Sequence, residues 1–490
     1  MPVSLLYPHR RQITPRVKAI MNWIADVLEP HVTNGAEPDS QNHIASDNIS
    51  PHKHQDSGRE RMSMIQGKFW VVTAALITAS LLLVSCGGSG GSSSGTGTSP
   101  IGTSPIGSSP IGSSGTSASG TSAATSFMGS SKLLIGGAMP DATAAAAPFD
   151  VRYAYVHSKP AASSAYYTDT RCSDAAAASG WWGCWSGNTT APGYYVTWWD
   201  EHVAQATWQG NPRPQIFFAT WYSLRDLGDM AGSGDGPGEV VAINRLDLLT
   251  LYMNDYRFFL QKIGNSRSMV DLEPDFWGYV KSLGNPHNVP AKVSTANPID
   301  CATEENSAAG LARCLISMAR KYAPKLGVGM HASCFDYQTD PQGCVNFLKD
   351  ITTGADFMVG DVSDRDAAWY DIQKKLGTGA GFGRSGDWWT VQNRGADALA
   401  FYKSITEGTG KPLVLWQIPV GNMAQNNTLN HYQDDKVDYL FSHLDAVADA
   451  HIVALLFGAG QQEQTGPETD GGNLINKTIN YWNTGGAQIR

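Results

Sequence analysis

The chain has 490 residues, a formal net charge of −9 and only 16% charged side chains. It shows no basic face and no block of like charge, which argues against a nucleic-acid partner. Thirteen of its 15 tryptophans lie beyond residue 130, a bias that favours a neutral, flat-faced ligand over a highly charged one.

Residues 1–61 are polar, carry several histidines and lack apolar periodicity. They read as an over-extended start or a short cytoplasmic tail and are set outside the fold. Lys68 then precedes a 17-residue apolar or small stretch over 69–85, which ends Leu83-Val84-Ser85-Cys86. A cationic start, a short apolar core and small residues before a cut are the parts of a secretory signal, here over 62–86. The competing reading is an uncleaved anchor, because the stretch is near the lower limit for spanning a bilayer. Leu-x-Ser-Cys resembles the lipobox of bacterial lipoproteins. That resemblance implies cleavage before Cys86, acylation of its thiol (palmitate or a similar chain) and tethering to a membrane surface. Gly87, standing where that family would carry Asp for inner-membrane retention, implies the outer membrane or cell surface.

Residues 87–130 are rich in Ser, Gly and Thr and repeat Ser-Pro-Ile-Gly at Ser99, Ser104 and Ser109. Such sequence buries too little apolar surface to order itself and reads as a flexible spacer. Residues 131–490 are then one large domain. Six cysteines remain after Cys86: Cys172 with Cys184, Cys301 with Cys314 and Cys334 with Cys344. An even number in an exported domain favours disulfides, and neighbouring short loops are the simplest of the possible pairings. A zinc site is the rival, but no Cys-x-x-Cys spacing supports it.

Short apolar runs follow at 133–135, 151–156, 215–220, 269–272, 327–330, 357–360, 413–416 and 452–457. Nearly continuous apolar runs suit parallel strands covered on both faces. Between them lie helical patterns: 239–262, 396–405, Leu311/Leu315/Met318/Tyr322 and Val437/Leu440/Leu444/Val447. Eight strands alternating with helices predict a (β/α)8 TIM-like barrel with disulfide-stapled loops. The first strand is the weakest, so a seven-stranded barrel is the alternative, and 158–198 is a long insertion.

In such barrels the chemistry stands at the C-terminal strand ends. There the sequence places His157, Trp221, Tyr222, Asp271, Glu273, Asp275, His331, Asp361, Asp364, Gln417 and the stretch 458–463. The sharpest feature is Asp271-Leu272-Glu273-Pro274-Asp275-Phe276-Trp277. Crowded carboxylates raise one another's pKa and so make a neutral acid available; the bland alternative is a solvated loop with Asp275 as a helix N-cap. Asp361, just past an apolar strand, is the next candidate, against a capping role near Asp364. Asp200 and Glu201 are held in reserve. Trp221, Trp277, Trp388, Trp389 and Trp416 are placed to stack on sugar faces, core packing being the alternative for each.

Cleavage of a glycosidic bond needs one carboxylic acid and a second carboxylate, and needs no cofactor or metal. No nucleophile elbow, zinc-protease helix or phosphate loop appears in the sequence. The segment 269–279, a strand ending Glu-Pro-Asp, resembles the corresponding strand of family 6 glycoside hydrolases, the cellobiohydrolases and endoglucanases. The helix at 314–322 and the strand at 327–331 keep a similar order. That family's acid motif lies upstream of Glu-Pro-Asp, whereas Asp361-Val-Ser-Asp364-Arg365-Asp366 lies downstream, so no catalytic role is carried over. Retaining barrels carry glutamates after strands four and seven; Glu273 meets this pattern and Gln417 departs from it. The expected function is a monomeric, surface-anchored hydrolase of a neutral polysaccharide. In it Glu273 is the acid, Asp361 the base or nucleophile, and Asp275 a reserve carboxyl. Asp271, Trp221, Tyr222, Trp277, His331, Trp388, Trp389, Trp416 and Gln417 are the expected substrate contacts. A barrel that binds glycan without cutting it, and a hydrolase or lyase of another polymer, are the rivals.

Overall fold

The computed structural model describes residues 127–162, 167, 181–187, 192–334, 340–378, 385–458, 460–461 and 463–490. The expected leader, Cys86, the linker as far as residue 126 and Cys172 lie outside the described residues; the last linker positions are packed, with Phe127 stacked on Phe357 and Met128 buried. Among the described residues, eight parallel strands close into a barrel. They are β1 (Leu134–Gly137), β2 (Val151–Val156), β3 (Ile216–Trp221) and β4 (Met269–Leu272). Then follow β5 (Gly327–His331), β6 (Phe357–Asp361), β7 (Leu413–Ile418) and β8 (Ile452–Phe457). The (β/α)8 fold is thus observed, and the weak first strand is real: Leu134 pairs with Ala454 of β8 and Gly136 with Val151 of β2, which completes the ring.

Apolar periodicity stops before β1 does, because the strand ends in two glycines. The structure gives the reason. A Cβ on Gly136 would meet the Val151 carbonyl oxygen at 2.1 Å, and one on Gly137 the Phe457 carbonyl oxygen at 2.3 Å. Only glycine lets the neighbouring backbones approach this closely at the seam.

Helices cover the outside of the ring. Leu246–Ile263 buries Leu249, Tyr252, Met253, Tyr256, Phe259, Leu260 and Ile263, one stripe at helical spacing. Ala308–Tyr322 begins where the Ser307 hydroxyl accepts the Gly310 N–H (3.1 Å), and it carries Arg320 and Lys321 in its last turn. Both features suit their end of the helix. The helix expected over 239–262 is broken at Arg245, whose backbone is extended. Lys292 N–H captures the freed Ile243 carbonyl (2.9 Å), so an incoming loop satisfies the helix end there. The pattern expected near 437–447 is likewise split at His443 into Lys436–Ser442 and Leu444–Asp449.

Two of the expected disulfides are present: Cys301–Cys314 and Cys334–Cys344, with Cα atoms 5.5 and 5.8 Å apart. In the insertion after β2, Trp181 and Trp182 each donate an indole N–H to buried Asp255 (2.8 Å). Trp182 also packs against Trp221, so this part of the insertion is docked on the barrel wall.

Candidate active site

The inner face of the barrel turns polar only near its C-terminal end. Register pairs Asp271 of β4 with Gly329 of β5, so His331, two residues on, lies on the same face. Its Nδ1 stands 3.0 and 3.3 Å from the two Asp271 carboxylate oxygens, and both residues are buried. Burial disfavours the imidazolium, yet the charge and bond of Asp271, with further charge from Asp361 and Asp275, more than offset it. The His331 pKa is raised.

Trp416 and Gln417 both join this face, which strict alternation along a strand forbids. A bulge explains it: Leu415 pairs with Leu455 and Ile418 with Phe457, so two residues of β7 oppose one of β8. Gln417 takes a left-handed φ of 53° to do so. The Trp416 ring meets His331 edge-on (centroids 5.3 Å apart, planes at 83°) and also meets Tyr155 of β2 (5.8 Å). Gln417 Nε2 donates to the Tyr155 hydroxyl. Tyr155 was not singled out from the sequence, although the alternation Tyr153-Ala-Tyr155 within β2 carried the signal.

The Glu-Pro-Asp turn separates its carboxylates. Glu273 leaves β4 with φ 56°, and its N–H donates to the Trp221 carbonyl (2.9 Å). The side chain is sealed rather than presented at the rim. Its oxygens accept the N–H groups of Ser223 (3.2 Å) and Leu224 (3.1 Å) and the Tyr252 hydroxyl (2.8 Å). Glu273 therefore anchors the start of helix Leu224–Ala231, where a carboxylate meets free N–H groups and the positive helix end. Burial pushes its pKa up to about 8 against those donors. The carboxylate expected to serve catalysis thus carries three donors in the structure.

Asp275 remains at the mouth. Its φ is 70°, its N–H donates to Ser333 Oγ (3.1 Å), and its carboxylate accepts the Tyr222 hydroxyl (2.8 Å). Ser333 is held next to the Cys334–Cys344 bridge. Burial raises the Asp275 pKa; His331 and Tyr222 oppose this, while Asp235 and Asp364 add to it. Asp361, the last residue of β6, is exposed, and its carbonyl accepts the Tyr402 hydroxyl. Its charge, with those of Asp275 and Asp271, acts on Tyr155 and His331, which places these carboxylates about one end of the barrel. Asp364 accepts the Tyr370 hydroxyl, and Arg365 lies over the Trp369 ring (4.7 Å). Asp200 is elsewhere: it accepts Ser268 Oγ (2.7 Å), just before β4, at the opposite end of the barrel. His157 at the mouth faces Asp226 (Nδ1 to Oδ2, 3.4 Å).

The tryptophans expected as sugar platforms prove mostly internal. Trp221 is buried against Tyr256 and Phe259 and donates to the Tyr252 hydroxyl (3.1 Å). Trp277 is buried and donates to the Leu272 carbonyl (2.9 Å), and Trp389 is buried beside Tyr439. Large rings at strand and helix ends fill the wedge between barrel and helices, so core packing claims them. Trp388 is half-buried, with its indole N–H on Asp371 (2.8 Å). Trp416 alone of the five shares the face with His331 and Tyr155. Its indole N–H is buried without a hydrogen-bond partner among the described residues. No group of three or more His, Cys, Asp or Glu among the described residues is arranged to hold a metal ion.

No protein-family model matches the chain, and no curated protein does. Solved structures align with the chain at low identity and low TM-score. Cellulose synthase subunit Z from Clostridioides difficile is 9% identical, with a TM-score of 0.36 over 71% of this chain and 100% of that one. An endo-beta-1,4-mannanase double mutant from Cellulomonas fimi is 11% identical, with a TM-score of 0.39 over 74% and 73%. The carboxyl transferase domain of Rhizobium etli pyruvate carboxylase is 8% identical, with a TM-score of 0.31 over 73% and 48%. Likeness at this level concerns the barrel alone.

Proposed function

We propose that the barrel cleaves glycosidic bonds in a neutral polysaccharide, with Asp275 as general acid and Asp361 as base or nucleophile. One observation supports this above the others. Two carboxylates from the ends of β4 and β6 act on a single buried histidine, one of them half-buried with a raised pKa and the other exposed. These are the two environments that acid and base need. In the reaction, the Asp275 proton passes to the bridging oxygen as the bond from that oxygen to the anomeric carbon breaks. Asp361 either attacks that carbon, giving a glycosyl ester that water then cleaves while Asp275 takes back the water's proton, or takes a proton from water that attacks directly; in both cases the water's hydroxyl ends on the sugar. Gln417 and Tyr155 supply contacts to sugar oxygens. Glu273 is left out of the pair because its oxygens already hold three donors.

Attachment to the outer membrane or cell surface through Cys86 belongs to the same proposal and rests on the sequence. The catalytic reading is tested by incubating purified protein with a panel of neutral polysaccharides and measuring reducing-end release. Asp275→Asn and Asp361→Asn should each lower the rate by about 10²–10⁴-fold, as loss of a general acid or base does. The double variant should lose little more than either single one, since the two act as a unit. A parent protein that binds a glycan without releasing ends would make the barrel a binding module instead.

A further inference from the structure

His331 on β5 is bonded to Asp271 of β4 (3.0 Å) and feels the charge of Asp275, from the turn after β4, and of Asp361, at the end of the adjacent β6; Trp416 of β7 closes another side. Tyr155 of β2, on the far side of Trp416, carries no charge at neutral pH because burial raises its pKa far above neutrality. Asp271 is fully buried and His331 is 1% exposed, so water screens neither. A charge in such a place is costly unless an opposite charge holds it with good geometry. Asp271 does this for His331 through both of its oxygens. The bond also fixes the ring, because the nitrogen that faces Asp271 is Nδ1 and the other nitrogen is turned away from that carboxylate. A neutral ring would leave the buried Asp271 carboxylate without a counter-charge, which burial makes costly.

We propose that Asp271 and His331 form a buried ionic clamp that keeps a fixed positive charge beneath the mouth, holds Asp361 ionised and so sets the pH range of cleavage. His331 is then a positioning residue that acts through the two mouth carboxylates and makes no bond in the reaction. The inference rests on the reading of Asp275 and Asp361 as the working pair.

The test has two arms, one of which needs no activity. Histidine side-chain NMR of the labelled full chain, assigned by the loss of one resonance set in His331→Gln, follows the imidazole between pH 5 and 9. The ring should stay protonated through pH 7 in the parent, and its midpoint should fall by about one unit or more in Asp271→Asn, which keeps the shape and removes the charge. A ring already neutral at pH 6 in the parent, or a midpoint that Asp271→Asn leaves in place, overturns the clamp. In the second arm, His331→Gln should move the acid limb of the kcat/KM profile upward by about one pH unit, because Asp361 loses its counter-charge. A rate loss with both limbs unmoved would mean a packing role and would also overturn the clamp. If the parent cleaves no glycan, the functional reading fails by itself, and the NMR arm still decides whether the clamp exists.

Discussion

Replacing Glu273 by Gln separates an anchor from a catalyst. One oxygen accepts both Ser223 N–H and the Tyr252 hydroxyl, and the other accepts Leu224 N–H (3.1 Å). The amide of Gln can supply one acceptor oxygen; its NH2 then faces another donor. One buried N–H loses its partner and one favourable bond becomes a repulsion. A lost bond of this kind and the stranded donor together cost about 2–3 kcal/mol. A domain of about 360 residues unfolds with an entropy of roughly 0.75 kcal/mol/K, so the expected fall in Tm is ~3–4 °C. Glu273→Ala strands all three donors and leaves a cavity, and should cost about twice as much. Differential scanning calorimetry at pH 9, above the Glu273 pKa of about 8 so that the parent side chain is ionised, measures both, and the reducing-end assay measures the rate. Activity per folded molecule should fall less than tenfold in the Gln variant. An unchanged Tm with a 10²-fold or greater rate loss would refute the reasoning and return Glu273 to the catalytic pair.

Further outcomes follow from burial, bridges and leader. Burial raises Asp150 and Asp255 to about 7 and Glu273 to about 8 in the folded protein. The folded state therefore holds more protons than the unfolded one between about pH 4 and 8, and the stability these groups contribute is full below pH 4 and lost as pH rises through 7–8. Urea midpoints should be lower at pH 8 than at pH 5, and the dependence should be shallower in Asp255→Asn; a midpoint that rises over this range contradicts the burial argument. Replacing both Cys334 and Cys344 by Ser should lower stability by roughly 3 kcal/mol and also slow cleavage, since Ser333 holds the Asp275 backbone. The same change at Cys301 and Cys314 should cost stability alone, and equal rate losses in the two variants would count against a role for Ser333. Expressed from Met62 in a Gram-negative host, the protein should partition with membranes, and Cys86→Ala should release it; equal retention of the variant would favour an uncleaved anchor.

The barrel was legible in the chain because its signal is local. A strand buried on both faces must be apolar throughout, and 151–156, 269–272 and 452–457 match β2, β4 and β8 residue for residue. Closure through β1 was less legible, since its last two positions are glycines chosen by neighbours far away in sequence. The same division runs through the site. That carboxylates crowd after β4 and that Asp361 and His331 stand at strand ends could be read from order alone. Which carboxylate faces the substrate could not. Left-handed backbone at Glu273 and Asp275 sends adjacent acids to different partners, one to the helix start at Leu224 and one to Tyr222. The bulge that turns Trp416 and Gln417 together onto the inner face exists only in the pairing of β7 with β8. Local sequence sets which residues prefer a strand; the direction of a side chain at a strand end depends on φ values and registers that only the closed barrel imposes.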